Sequence, residues 1–176
     1  MRESDQPSQI QEEFGRRLGW YAFTRTMKPR AVIETGVDHG VEACALASAL
    51  LRNVAEEFPG KYVGTEIRPD AGKLLAEPHS RVKRVFYGDS ITTLHAFSEE
   101  IDLFINDSDH SADYEYDEYS SIASKLSESE LVIGENSYVT SKLAEWSVES
   151  GRKFLFFSEK PQEHWYPDAG IGDSFP

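Results

Sequence analysis

The stretch "IDLFINDSDHSADYEY" (residues 101–116) places reactive side chains directly after an apolar run. Four of its first five residues are apolar, as in a buried strand, and Asn106, Asp107, Asp109 and His110 follow them. Carboxylates can hold a cation, and a neutral imidazole can accept a proton near pH 7. The pattern therefore predicts a functional site at the end of this strand.

A second candidate site is the segment "ETGVDHG", which joins an apolar strand to a helical pattern. Gly36 and Gly40 would let the backbone pass close to a ligand at a helix N-terminus. The spacing is E-x-G-x-x-x-G, and Glu34 and Asp38 would repel the pyrophosphate of a dinucleotide. A cationic ligand such as S-adenosylmethionine, with its sulfonium and ammonium groups, fits better. A glycine-rich turn with solvated acids is the alternative.

Two further strands also end in acids. Glu66 follows "KYVGT" at the position where an acid commonly binds ribose hydroxyls, although it could equally be a surface carboxylate beside Arg68. Asp89 and Ser90 follow "RVKRVFYG" and either accept a hydrogen bond from an adenine amino group or cap a helix. Three acids at three successive strand ends favour a nucleoside site.

The elements around these residues alternate between short apolar strands and helices. We predict helices at residues 8–27, at 41–53, near Asp70–Ala76, from Ser90, around Tyr119 and over "SKLAEWSVES". The predicted strands lie between them: "AVIET", "KYVGTEI", "RVKRVFYG", "IDLFIN", "ELVIGE" and "KFLFFSE". Such an alternation is typical of an α/β fold with a mostly parallel sheet, which binds ligands beyond the carboxyl ends of its strands.

Composition limits the function classes. A chain of 176 residues with 39% hydrophobic residues predicts one domain, 1–176, with residues 1–7 disordered. The net charge of −13 argues against nucleic-acid or membrane partners. The single cysteine, Cys44, precludes an internal disulfide, and "MRESDQPSQIQEEF" lacks the apolar core of a signal peptide, so we expect a cytoplasmic protein.

With these residues identified, the chain resembles the class I S-adenosylmethionine-dependent methyltransferases, in particular the macrocin and cephalosporin-biosynthesis group. The resemblance rests on "KPRAVIETGVDHGV", "YGDS", "IDLFINDSDHSADYEYDEY", "LVIGENS" and "EKPQEHWYPDAGIGDSF". It implies a three-layer, Rossmann-like sheet of seven strands whose C-terminal pair is antiparallel. It also implies cofactor-binding roles for Glu34, Gly36 and Gly40 at the methionine end, Glu66 at the ribose, and Asp89 with Ser90 at the adenine.

The same resemblance suggests a metal. Catechol and caffeoyl O-methyltransferases carry an acid and an acid-amide pair where this chain has Asp107, Glu135 and Asn136, a set suited to Mg²⁺. His110 matches the position of the general base in macrocin-type relatives. The alternatives are that Asp107 and Asp109 cap a helix, that Asn136 is a turn residue and that His110 is a polar bridge. Two departures from the family pattern are "SESE" before the fifth strand and Glu135 in place of aspartate.

The sequence thus favours an S-adenosylmethionine-dependent, metal-assisted O-methyltransferase that acts on a hydroxyl of a small molecule, such as a natural product or a sugar. The alternative is a protein of this fold that binds a nucleoside or a partner without transferring a methyl group. Little sequence remains for a substrate lid, only the N-terminal helix, the acidic "SADYEYDEY" and "QEHWYPDAG", so we expect a homo-oligomer in which a second subunit completes the pocket. A nicotinamide-dependent oxidoreductase is disfavoured by the missing third glycine.

Overall fold

The computed structural model describes residues 18–135, 137–159 and 169–176. Residues 18–27 are helical and constitute the described part of helix α1, which ends before Lys28 and Pro29. The predicted disordered segment 1–7 and the first ten residues of the predicted N-terminal helix lie outside the described residues.

Seven strands form one sheet. They are β1 (Ala31–Thr35), β2 (Lys61–Glu66), β3 (Lys83–Tyr87), β4 (Ile101–Asn106), β5 (Leu126–Gly134), β6 (Lys153–Glu159) and β7 (Ala169–Phe175). The strand order is β3-β2-β1-β4-β5-β7-β6; among these seven described strands, β7 runs opposite to the other six, so its pairs with β5 and β6 are antiparallel. The predicted α/β fold with an antiparallel C-terminal strand pair is therefore confirmed.

The helices cover both faces of the sheet because its central strands are apolar on both sides. They are α2 (Val41–Ala55), α3 (Ser90–Ala96), α4 (Ala112–Ile122) and α5 (Lys142–Glu149). Leu103 and Ile105 of β4 pack in a cluster with Trp20 of α1 and Leu46 of α2. Phe104 points the other way and packs with residues of α3, α4 and α5. This alternation along β4 fixes the three layers.

Two elements differ from the prediction. Residues 70–76 form turns instead of a short helix, with Gly72 at φ 71° and its N–H donating 2.7 Å to the carbonyl oxygen of Asp38. Strand β5 begins at Leu126, five residues before "LVIG", and includes the polar "SESE" segment. Leu126 pairs with Ile101 and Leu131 pairs with Leu103, so the "SESE" residues between these two pairs form a bulge where the register with β4 shifts.

Among the described residues, no helix has both the length and the apolar character needed to cross a membrane.

Leu46→Ala should destabilise the protein by about 2–5 kcal/mol, because it deletes a buried side chain from the cluster between α2 and the sheet. Val148→Ala is the matched control, since Val148 on α5 is 77% exposed, and it should change stability by less than about 0.5 kcal/mol. Urea unfolding measures both values. Equal losses would contradict the assignment of the core.

Candidate functional site

A cavity of about 550 Å³ opens at the carboxyl ends of β1 to β4, within the usual size range of small-molecule sites. Its lining comes from the end of β2, from the loops that follow β1 to β4, and from the first turns of α3 and α4. The residues are Gly36, Asp38, Thr65, Glu66, Ile67, Gly88, Asp89, Ser90, Asp107, Ser108, Asp109 and Tyr114. Five predicted site residues therefore share one cavity wall, namely Gly36, Glu66, Asp89, Ser90 and Asp107.

The loop after β1 passes very close to the end of β4. Gly36 has φ 84°, and a Cβ atom at this position would lie 1.9 Å from the carbonyl oxygen of Asp107. Only glycine fits both the space and the left-handed backbone. Gly40, at φ 89°, precedes α2 and approaches Leu75, and it does not line the cavity. Gly36 therefore lets the loop after β1 lie directly against the end of β4 at the cavity wall, whereas a cofactor contact of Gly40 stays a prediction.

Glu66 connects the loops after β1 and β2. Its Oε2 accepts the Asp38 N–H at 2.8 Å, and its Oε1 accepts the Arg68 N–H at 3.0 Å. Arg68 Nε also lies 3.5 Å from Oε1, as the alternative of a carboxylate beside Arg68 predicted, and a carboxylate with about four acceptor sites keeps some capacity for ribose hydroxyls. The carboxylate is thus oriented by backbone groups and faces the cavity. Its ribose role stays a prediction.

Asp89 caps helix α3. Its Oδ2 accepts the Thr92 N–H at 2.7 Å, and these bonds to Thr92 hold the Asp89 pKa below its usual value. The Tyr114 hydroxyl donates 2.8 Å to Asp89 Oδ1 and also lies 2.8 Å from Ser90 Oγ. The geometry thus shows the helix cap, while Asp89 still lines the cavity. An adenine contact by Asp89 or Ser90 stays a prediction.

Glu34 lies beneath the cavity and does not line it. The side chain has no exposed surface, and Oε2 accepts the Tyr62 hydroxyl across the β1–β2 pair. Burial raises the Glu34 pKa well above its usual value. Its Oε1 has no hydrogen-bond partner within the described part of the chain. A contact of Glu34 with a cofactor is therefore a prediction that this arrangement does not test.

Asp107 and His110 come together at the end of β4. His110 Nε2 lies 3.7 Å from Asp107 Oδ1. Burial raises the Asp107 pKa to about 11, helped by the adjacent Glu135 carboxyl at the end of β5. Asp109 lines the cavity and its Oδ1 accepts the Ser111 N–H at 2.7 Å, where the chain leads into α4. Two carboxyl groups and one imidazole thus converge beside the cavity.

The metal prediction is only partly accommodated. Asp107 and Glu135 lie side by side, whereas the third predicted ligand, Asn136, lies outside the described residues. Among the residues that are described, no group of three or more His, Cys, Asp or Glu side chains is arranged to hold a metal ion. The donor types suit Mg²⁺, but the described residues alone do not form a complete site.

Sequence reasoning missed Glu118. Its side chain on α4 has no exposed surface and lies under the cavity, where it accepts hydrogen bonds from four side chains. The signal was present, because Glu115, Glu118, Tyr119 and Ile122 share one helical face at spacings i, i+3, i+4 and i+7. Acids on the same stripe as a buried tyrosine and isoleucine indicate buried carboxyl groups.

Comparison with known proteins identifies the family. The family model of a methyltransferase domain matches residues 33–137, which include β1 to β5 and the cavity. The chain belongs to this methyltransferase family. No curated protein matches the methyltransferase significantly.

Solved structures share the fold. One is the O-methyltransferase TomG of Streptomyces achromogenes, which is involved in tomaymycin synthesis and was solved in complex with S-adenosylmethionine. It superposes on this chain with a TM-score of 0.76 at 14% identity, and the match covers 98% of this chain and 90% of TomG. An O-methyltransferase of Bacillus cereus in complex with S-adenosylhomocysteine superposes with a TM-score of 0.71 at 12% identity. The match covers 99% of this chain and 93% of the Bacillus cereus protein. A putative caffeoyl-CoA O-methyltransferase of Staphylococcus aureus superposes with a TM-score of 0.70 at 15% identity. The match covers 97% of this chain and 92% of that protein.

Family and fold together confirm the predicted enzyme class, that of the S-adenosylmethionine-dependent methyltransferases. At these identities the solved structures establish the fold of the methyltransferase and nothing narrower. The family model is broader than the macrocin and cephalosporin group, so membership of that group stays a prediction.

The pKa of Glu118 predicts how stability depends on pH. Burial raises this pKa from 4.5 to about 7, so the folded protein holds the proton more tightly than the unfolded chain. The stabilisation is complete below pH 4.5 and is lost as pH rises through 7, about 3 kcal/mol in total. Glu118→Gln should therefore flatten the fall in the free energy of unfolding between pH 5 and pH 8. Urea unfolding at several pH values measures the slope, and equal slopes in both proteins would contradict the burial argument.

Proposed function

We propose that the protein transfers the sulfonium methyl group of S-adenosylmethionine to a hydroxyl group of a small molecule. The observation that carries this proposal is the cavity whose lining takes Gly36, Glu66 and Asp89 from three successive strand ends. The carboxylates of Asp38, Glu66 and Asp89 outnumber the one described cation paired with them, Arg68, and this excess of negative charge would attract a cationic cofactor and disfavour a dinucleotide.

The chain's own residues suit the parts of this cofactor. Glu66 has acceptor capacity for the ribose hydroxyls, and Asp89 with Tyr114 lies at the next strand end, where the adenine would be held. Gly36 lets the loop after β1 lie against the end of β4, where the methionine part of the cofactor would be held. TomG and the Bacillus cereus enzyme were solved in complex with S-adenosylmethionine and S-adenosylhomocysteine, respectively, which supports this choice.

For the transfer step, the cofactor supplies an electrophilic methyl group on a sulfonium. We assign His110 to accept the proton of the acceptor hydroxyl, since its imidazole stands beside Asp107 at the end of β4. The hydroxyl oxygen forms the new bond to the methyl carbon, the carbon–sulfur bond breaks, and its electron pair stays on sulfur. Asp107 Oδ1, at 3.7 Å from His110 Nε2, would orient the imidazole, and Asp107 in its ionised form would favour the protonated imidazole that results.

Metal assistance is a finer part of the proposal. Mg²⁺ held by Asp107, Glu135 and Asn136 would lower the pKa of a bound hydroxyl. The adjacency of the Asp107 and Glu135 carboxyls supports it, because two neighbouring carboxyl groups repel each other when ionised and a cation removes that repulsion.

The acceptor is proposed as a natural product or a sugar, by resemblance to the macrocin and cephalosporin-biosynthesis enzymes. TomG is involved in tomaymycin synthesis, which is in line with a natural product as the acceptor. We further propose that a second copy of the chain completes the acceptor side. The charge of −13 disfavours nucleic acid and membranes as partners.

S-adenosylhomocysteine should bind the protein and NAD should not. Glu66→Gln should weaken S-adenosylhomocysteine binding by about 1.5–3 kcal/mol, because it removes a charged acceptor from the ribose hydroxyls. Isothermal titration calorimetry measures the affinities. Glu99→Gln is the matched control, since Glu99 pairs with Lys61 at the opposite edge of the sheet. Undiminished affinity in Glu66→Gln would exclude Glu66 as the ribose ligand.

Chelation of divalent cations should suppress turnover while cofactor affinity stays intact, since the proposed metal ligands lie on the acceptor side. The measurement is single-turnover methyl transfer to phenolic and sugar acceptors with EDTA or with added Mg²⁺. Full activity in excess EDTA would remove the metal from the proposal and leave His110 to act alone.

His110→Gln should lower the transfer rate by about 10²–10⁴-fold, because glutamine cannot accept the hydroxyl proton. Cofactor affinity and Tm should stay near those of the wild type. His95→Gln on the exposed end of α3 is the control and should retain the wild-type rate. A normal rate with a lowered Tm would show instead that His110 is a structural bridge.

A further inference from the structure

We propose that Glu118 is a positioning residue for the cofactor, because its carboxylate holds together the loops that follow three different strands. This inference rests on the proposed function, since it concerns the same cavity. Glu118 itself is fully buried on α4 and does not line the cavity, so it would act through its neighbours.

Four side chains converge on this carboxylate. Thr35 Oγ1 donates 3.1 Å to Oε2, and Ser108 Oγ lies 2.8 Å from each carboxylate oxygen. Ser90 Oγ donates to Oε1, and Asn106 Nδ2 donates to Oε2. The donors come from the ends of β1 and β4, from the loop after β4 and from the start of α3. Helix α4 thus ties these separate segments to one group.

Each donor is a sequence neighbour of a residue on the cavity wall. Thr35 precedes Gly36, Ser90 follows Asp89, and Asn106 and Ser108 flank Asp107. A shift of the carboxylate would therefore move wall residues from three strand ends at once. Geometric errors of this kind are costly in a binding site, because the cofactor must meet all its partners together.

The network also reaches the predicted adenine end. Ser90 Oγ lies 2.8 Å from the Tyr114 hydroxyl, which donates 2.8 Å to Asp89. Ser90 donates its single hydrogen to Glu118 and Tyr114 donates its own to Asp89, so the two hydroxyls lie in contact between the two carboxylates. Tyr114 lines the cavity, so its ring position depends on the same network.

A carboxylate is needed at this position because it accepts at about four sites and donates at none. An amide of the same shape offers one oxygen and one NH₂ group. Glu118→Gln therefore forces at least one hydroxyl or amide donor to turn away, although the helix and its packing volume are kept. The expected disturbance is local to the cavity wall.

Glu115 provides a matched control one turn earlier on α4. It is 3% exposed and accepts the hydroxyls of Tyr119, at 2.7 Å, and Thr140. These partners lie on α4 itself and in the segment before α5, and neither they nor Glu115 line the cavity. Glu115→Gln thus removes a buried carboxylate with hydroxyl partners and leaves the wall loops in place.

The test is isothermal titration calorimetry with S-adenosylhomocysteine at pH 8.5, on the full chain with each substitution. Glu118→Gln should bind at least tenfold more weakly with a stoichiometry near that of the wild type. Glu115→Gln should keep the wild-type Kd. A purely structural role of Glu118 would instead lower the stoichiometry, as molecules unfold, with Kd unchanged.

Thr35→Val keeps the test decisive if Glu118→Gln does not fold. It removes one donor with little change in shape, and it should raise Kd severalfold at full stoichiometry. A wild-type Kd in Thr35→Val and in any folded Glu118→Gln would overturn the positioning role while the proposed function stands. If the wild type itself does not bind S-adenosylhomocysteine, the proposed function fails, and this inference fails with it.

Discussion

A carboxyl group with no exposed surface has to find hydrogen-bond donors, since an unpaired buried carboxylate costs far more than a satisfied one. Glu118 meets this requirement with donors at or beside the ends of β1 and β4 and at the start of α3. The wall of the cavity depends on this interaction, because the loops that carry Gly36, Asp89 and Asp107 begin next to those donors. Helix α4 is rich in acids, as exposed helices are, yet its Glu118 helps to position the residues of the cavity wall.

Several carboxyl groups at and around the cavity are difficult to ionise in the protein alone. The pKa values of Glu34, Asp107 and Glu118 are all raised, chiefly by burial. Neighbouring acids add to the shift at Asp107, where Glu135 lies alongside. A cationic ligand reduces exactly this kind of repulsion, since an opposite charge nearby favours the ionised form. A bound sulfonium and ammonium group would thus make these carboxyl groups easier to ionise.

Much of the fold follows from pattern in the sequence. The apolar strands and the 41–53 helix were predictable because β1, β4 and α2 lack competing signals, and the strand ends were predictable because acids interrupt apolar runs. The helix predicted near residues 70–76 was wrong. Gly72 adopts a left-handed backbone conformation there, held by the hydrogen bond from its N–H to the carbonyl oxygen of Asp38, which no local sequence pattern reveals. The site was predictable as a set of strand ends but not as a network. Glu34 shares the cavity's motif yet faces Tyr62, which no local pattern reveals.

The most direct test of the account is hydrogen–deuterium exchange with and without S-adenosylhomocysteine. Binding of S-adenosylhomocysteine at the proposed site should slow amide exchange at the ends of the first three strands and in the loops after them, at residues 36–40, 66–68 and 88–90, and around Asp107. A second cavity of about 650 Å³, lined in part by Lys61, Arg84 and Phe97, lies at the opposite edge of the sheet and serves as the internal reference. Protection confined to that cavity, with unchanged exchange at the carboxyl ends of the strands, would contradict the account.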